Sequence, residues 1–267
     1  MSVDINLVKE LRARTHAPLK DCKSVLAEAN GDLDLAQELL RQKGVLKAAK
    51  KADRETNQGV VKFASNNGVI SGIRVLCETD FVAKNEKFLA LIDGLLSKIE
   101  AASGDFDMDS IDENLKNELT LLLDEQVGVI GEKLVLDYVY RSTKNGYVYN
   151  HNGNSISAVI FYNAEGSVDE IAKEVALQVA AMNPEYISMD DVPADRKDKL
   201  RAEFKEEMAD SGKPADILDK IIEGKLNKTL QDDVLLEQPS IRDGAKKVKD
   251  IVGNKLVISD VLRVVVG

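Results

Sequence analysis

The hydrophobic spacing of the chain changes period within one nine-residue stretch, Cys77-Glu78-Thr79-Asp80-Phe81-Val82-Ala83-Lys84-Asn85. Before it, Val69 to Leu76 is rich in β-branched residues and close to period two; after it, Val82, Leu89, Ile92, Leu96 and Ile99 recur at helical spacing. A strand must therefore turn directly into a long helix here. Thr79 or Asp80 is placed to cap that helix, because its side-chain oxygen can accept a hydrogen bond from a first-turn N–H that has no partner inside the helix. Capping by itself is ordinary helix chemistry. Phe81 is less ordinary: it falls at the first helical position, between Asp80 and Lys84, in a turn expected to face solvent. Phe88, seven residues on, is the neighbour that would bury it in a shared apolar stripe. An exposed aromatic beside an acid points to a contact residue.

Upstream, residues from about Asp4 to Gly44 read as three short helices. Ile5, Leu7, Val8 and Leu11 mark the first, Leu19, Cys22, Val25 and Leu26 the second, and Leu33, Leu35, Ala36, Leu39 and Leu40 the third. Pro18 suits a first helical turn, Gly31 and Asp32 end one helix and cap the next, and Gly44 is expected to end the third. Lys47 to Thr56 has clustered charge and no apolar face, and reads as a solvated linker. Val60 to Ala64 and Val69 to Leu76, joined through Ser65-Asn66-Asn67-Gly68, read as a β-hairpin, because Asn-Gly supplies the positive φ values of a tight turn.

A second helix is expected from about Met108 to Val127. Leu134, Leu136, Tyr138 and Tyr140 then alternate with polar residues as a third strand. The order strand, turn, strand, helix recurs with Tyr147 to Asn150, a turn at His151-Asn152-Gly153-Asn154, Ser155 to Tyr162, and a helix from Ser167 to Met182. Beyond Asn183-Pro184 come a charged helix from Ala194 to Asp210, a turn at Ser211-Gly212-Lys213-Pro214, and a helix from Ala215 to Lys228.

The composition excludes several classes of function. A formal net charge of -10 lacks the cationic surplus that phosphate neutralisation requires, and with 4% aromatic residues and no Trp there are few stacking platforms, so no direct nucleic-acid binding is expected. No apolar run approaches the ~20 residues that span a bilayer, and Met1-Ser2-Val3-Asp4 lacks the order of an export signal. Cys22 and Cys77 lie far apart without metal-ligand spacing, as in a reduced, cytoplasmic protein. His16 and His151 stand in unrelated segments, and neither a Gly-x-x-x-x-Gly-Lys-Ser/Thr nor a Gly-x-Gly-x-x-Gly loop follows a strand. No catalytic residue, metal or cofactor is expected.

The corner Thr79-Asp80-Phe81-Val82, with Ala83-Lys84-Asn85 after it, resembles the Thr-Asp-Phe-Val signature of the bacterial translation elongation factor Ts family. The amino-terminal helices are similar to the ubiquitin-associated-like domain that opens that family, through Leu7-Val8-Lys9-Glu10-Leu11-Arg12, Arg14-Thr15, Asp21-Cys22-Lys23 and Glu28-Ala29-Asn30-Gly31-Asp32. Gly212-Lys213-Pro214, Lys220 to Leu226 and Leu235-Leu236-Glu237-Gln238-Pro239 resemble its projecting helical pair and the return to the core. The chain departs from the family where Lys20 replaces an apolar residue, where Gln178 stands at the position of a common His, where Ser240 follows Gln-Pro in place of Phe, and in ending at Gly267.

The resemblance implies an α+β protein: a small three-helix domain and basic linker over 1–54, a core subdomain over 55–140, a related core subdomain over 141–187 and 231–267, and an inserted helical hairpin over 188–230. It also implies a guanine-nucleotide exchange factor for the GTPase elongation factor Tu. Thr79, Asp80, Phe81 and Val82 would form the exchange corner, with Arg12, Leu19 and Lys23 as contacts of the amino-terminal domain. A homodimer through the helical hairpin is an open use of that element. The alternative of another class is an RNA- or ribosome-binding protein using Lys47 to Arg54, which the acidic balance disfavours.

Overall fold

The computed structural model describes residues 4–151, 153–208 and 214–267, without the side chains of residues 215 and 216. The architecture is α+β, and the chain divides into two compact units. One comprises Met1–Thr143 with His151–Ile156 and Val264–Gly267; the other comprises Lys144–Asn150 and Ser157–Arg263.

The first unit opens with α1 (Ile5–Thr15), α2 (Leu19–Glu28) and α3 (Leu33–Ala49). Asp4 and Asp32 cap α1 and α3 by accepting first-turn N–H groups. Val8, Leu11, Cys22, Val25, Leu26 and Ala36 fill the space between the helices. Ile5, Leu19 and Leu35, which help mark these helices in the sequence, are 65%, 53% and 49% exposed.

Gly44 does not end α3, which continues to Ala49. Its role is tertiary. α3 packs against α6 (Glu113–Ile130) so closely that a Cβ on Gly44 would stand 2.5 Å from the Glu125 carbonyl oxygen, and one on Gly128 would stand 3.2 Å from the Gly44 Cα. Arg41 clips the same crossing to Glu125 at 3.1 Å. With Ala48 packed on the neighbouring core and Lys47 paired to Asp21 at 2.7 Å, the start of the expected linker is helix with internal contacts.

β1 (Gln58–Asn66) and β2 (Val69–Cys77) form the predicted hairpin, with Asn67 and Gly68 at φ 51° and 76°. Among the described residues the sheet runs β1-β2-β4-β3, where β3 is Phe106–Asp107 and β4 is Val135–Ser142. The expected long helix after the corner is two helices, α4 (Asp80–Ala83) and α5 (Glu86–Ala101), because Asn85 accepts the Lys87 N–H at 2.9 Å and caps a new start. α6 begins only after the Asp112 cap, not at Met108, and ends at Gly131 in the left-handed conformation. Phe88, Ile92, Leu95 and Ile99 of α5 and Leu119, Leu123 and Val127 of α6 bury against Val60, Ile73 and Val75 of the sheet. Each such side chain contributes about 1.5–3 kcal/mol of apolar transfer.

The alternation expected through β4 breaks at a bulge. Val75 pairs with Leu136 and Arg74 with Tyr138, so Asp137 is an extra residue. Leu136 and Val139 consequently share the core face, while Tyr138 and Tyr140 turn to the other face, where both rings lie 6.1 Å from that of Phe63. Phe63 in turn covers Gly72, where any Cβ would collide with its ring.

Among the described residues the sheet of β5 (Gly146–Asn150), β6 (Ile156–Ala164) and β7 (Leu256–Val265), all but the ends of β6 and β7 in the second unit, runs in the order β5-β6-β7. α7 (Asp169–Met182) buries Ala172, Val175, Ala176 and Val179. α8 (Ala194–Glu207) and α9 (Ala215–Leu230) form the helical pair, in contact with a small cluster at Val192, Leu226, Leu230 and Val234, with Leu200 and Phe204 packed against it. α10 (Val248–Val252) precedes β7. Asn152 of the expected 151–154 turn, Asp210, and Ser211-Gly212-Lys213 of the expected interhelical turn lie outside the described residues.

Candidate functional site

The four signature residues divide by direction. Thr79 is extended (φ -127°, ψ 155°) and caps α4, its hydroxyl oxygen accepting the Val82 N–H at 3.4 Å. Val82 turns inward and packs on the core between sheet and helices. Asp80 and Phe81 turn outward, and Phe81 is 81% exposed. Phe88 is wholly buried, so the two aromatics share no stripe. Lys84 pairs with Asp80 at 2.7 Å, and this hydrogen bond holds the Asp80 carboxyl below its ordinary range.

α4 is one turn long and buries none of its residues, so packing alone cannot hold it; it is held by polar groups from beyond the sheet. One Glu132 carboxylate oxygen accepts the N–H groups of Glu78 and Thr79, both at 3.0 Å, and the other accepts the Thr79 hydroxyl at 2.6 Å. Glu78 reciprocates: its carboxylate accepts the Lys133 N–H at 2.7 Å and an Arg54 N–H at 3.0 Å. The Lys133 N–H, ahead of Arg54, lowers the Glu78 pKa. Lys133 Nζ donates to the carbonyls of Ala52 and Arg54, and Lys51 Nζ to that of Gly131 at 2.6 Å. The Cys77 thiol, 3.2 Å from the Thr79 carbonyl oxygen, is pushed up to about 11 by burial and stays protonated at neutral pH.

Sequence patterning does not reveal Glu132, Glu78 or Arg54 as partners of the corner. The available signal is Gly131, whose helix-stop character brings the chain out of α6 at this point. Of the run Lys47 to Arg54 behind the nucleic-acid alternative, Lys47, Lys51 and Arg54 are engaged within the chain.

Leu19 and Lys23 are exposed four residues apart on α2 and so lie on one helix face; Arg12 is exposed on α1. These residues and the corner belong to the same compact unit but to different elements. In the second unit Gln178 is buried, donating to the Gln238 side chain at 3.0 Å and to the Pro239 carbonyl at 3.1 Å and accepting the Ile241 N–H at 2.9 Å. Ser240 is buried as well, its hydroxyl bonded to Glu174 and accepting the Arg242 and Asp243 N–H groups. Both departures from the family pattern are thus built into internal hydrogen bonding.

Among the described residues no His, Cys, Asp and Glu groups gather as a metal site, and no helix is long and apolar enough to cross a membrane. The fold and the corner define an α+β protein that displays one aromatic side chain outward from a braced single-turn helix. The family is shown by sequence comparison: residues 78–267 match the model of the family described as Elongation factor TS. The chain is 38% identical over 269 residues to Elongation factor Ts of Aquifex aeolicus, covering 94% of this chain and 92% of that one. It is 37% identical to that of Hydrogenobaculum sp., with the whole of both chains covered. It is 38% identical to that of Clostridioides difficile over 97% of this chain and 89% of the relative. The chain belongs to the elongation factor Ts family.

Proposed function

We propose that the protein is a cytoplasmic guanine-nucleotide exchange factor that binds the GTPase elongation factor Tu and accelerates its release of GDP, so that GTP can reload during translation elongation. The observation that carries this reading is Phe81, 81% exposed on a helix too short to hold itself and braced by polar groups, in a chain of this family. An exposed aromatic ring on a braced turn offers a partner the kind of side chain that dominates interface energetics.

The mechanism follows from charge. In a GTPase a bound Mg²⁺ neutralises the phosphates it bridges, so displacing the elements around that site weakens metal and nucleotide together. Phe81 acts as the apolar wedge. Burying its ring on the partner supplies about 1.5–3 kcal/mol, roughly one to two powers of ten in the nucleotide's affinity. Asp80 positions the wedge and perturbs polar contacts near the metal. Thr79 and Val82 hold the turn from the inside. Arg12, Leu19 and Lys23 grip the GTPase's nucleotide domain, and the later part of the chain holds a more distant one. Coupling is reciprocal: factor and nucleotide weaken each other's binding by the same ratio, so GTP rebinding ejects the factor.

No covalent bond is made or broken by the chain, and no nucleic acid is contacted. Association of two copies through α8 and α9 would leave this mechanism unchanged.

The test is release of a fluorescent GDP analogue from purified elongation factor Tu into excess unlabelled GDP. The parent protein should accelerate release, and the Asp80→Ala, Phe81→Ala variant should not. Absence of acceleration by the folded parent would defeat the reading.

A further inference from the structure

We infer that Glu132 is the positioning residue of the exchange corner, setting the direction of Phe81 through Thr79; the inference rests on the reading of the corner given above. The ladder between β1 and β2 ends at the pair Gln58–Cys77. The next two N–H groups, of Glu78 and Thr79, therefore lie past the last strand pair, and one Glu132 oxygen accepts both. The other oxygen accepts the Thr79 hydroxyl proton at 2.6 Å. A threonine hydroxyl has one proton and two lone pairs. With the proton directed to Glu132, a lone pair faces the Val82 N–H and completes the cap of α4.

Glu132 is itself fixed. It follows Gly131, where α6 stops in the left-handed conformation, and α6 is anchored by Leu119, Leu123 and Val127 in the core. The carboxylate thus refers the orientation of an exposed turn to a helix anchored in the core, and it touches neither Phe81 nor Asp80 among the bonds that hold the corner. A glutamine at 132 has the same shape but only one acceptor oxygen. Its amide NH₂ must face either the two N–H groups or the hydroxyl. In the first case two bonds are lost. In the second the Thr79 hydroxyl becomes an acceptor and its proton competes with the Val82 cap.

Two readouts separate positioning from a general loss of structure. In the free protein, Glu132→Gln should speed amide hydrogen exchange at Glu78, Thr79 and Val82 by about ten-fold or more, with the amides of α5 and α6 unchanged. With elongation factor Tu, the same variant should lower the maximal rate of GDP release about ten-fold while changing the half-saturating concentration by less than about two-fold. It should add nothing in a Phe81→Ala background. Thr79→Val, which removes only the hydroxyl, should speed exchange at Val82 and leave Glu78 and Thr79 protected.

Unchanged amide exchange in Glu132→Gln would overturn the inference, as would a rate loss that adds in full to that of Phe81→Ala. If Glu132→Gln does not fold, equal deprotection of all three amides in Thr79→Val would overturn it. If the parent does not accelerate release, the functional reading falls, and the amide measurements alone decide whether Glu132 positions the turn.

Discussion

α2 and α4 of the first unit each put an apolar side chain into solvent, and they hold it there by different means. Leu19 stands at the start of α2, a helix whose Cys22, Val25 and Leu26 are wholly buried against α1 and α3. Phe81 stands on α4, whose Val82 and Ala83 are only partly buried and whose start is fastened by hydrogen bonds from Thr79 to Glu132. The first display depends on packing and tolerates change at its polar surface. The second depends on polar geometry and is sensitive to charge and protonation. Apolar burial can fix a three-turn helix but not a single turn, so a short projecting element has to be braced electrostatically.

The largest effect that probes this contrast is at the helix crossing. Gly44→Ala places a methyl group 2.5 Å from the Glu125 carbonyl oxygen, against backbone that has no freedom to give way. Urea unfolding should show a loss of about 3 kcal/mol, with the hydrogen bonds of the corner retained in the folded fraction. A neutral substitution would mean that the three-helix group does not rely on this close contact.

A smaller effect should appear in acid and fall on the corner. The Lys133 N–H, and then Arg54, hold the Glu78 carboxyl below its ordinary 4.5. A depressed carboxylate contributes its stabilisation fully above the unfolded value and loses it as pH falls through the folded one. The Lys133 amide resonance should therefore titrate with a midpoint below 4.5, and Arg54→Ala should move that midpoint up. A midpoint at or above 4.5 would remove Glu78 from the brace.

How much of this is legible in the sequence follows the same division. The Asn67-Gly68 turn, the Asp32 cap and the exposure of the Phe81 position are local, and local rules read them correctly. Gly44 misleads, because a glycine that permits close helix approach has the same letter as one that ends a helix. Asn85 could have been read as a second cap, but the apolar spacing on either side suggests one continuous helix. The bulge at Asp137 is set by pairing with β2 and leaves no mark on the alternation of β4 itself. Glu132 is separated from Thr79 by three helices in the chain, and nothing in either segment marks their meeting.

The smallest effect is on folding at the corner itself. Phe81→Ala removes a ring that is 81% exposed, and stability should change by less than about 0.5 kcal/mol. A loss of several kcal/mol would make Phe81 a structural residue.

Because that variant keeps its fold, it permits the most direct test of whether the corner drives release while the amino-terminal helices supply grip. GDP release from elongation factor Tu is followed over a range of factor concentrations for Phe81→Ala and for Leu19→Ala. Phe81→Ala should lower the maximal rate at saturation and change the half-saturating concentration little; Leu19→Ala should raise the half-saturating concentration and leave the maximal rate in place. If Phe81→Ala weakens only binding, or if the two variants alter the same parameter alike, the corner is one more contact and the division of labour is wrong.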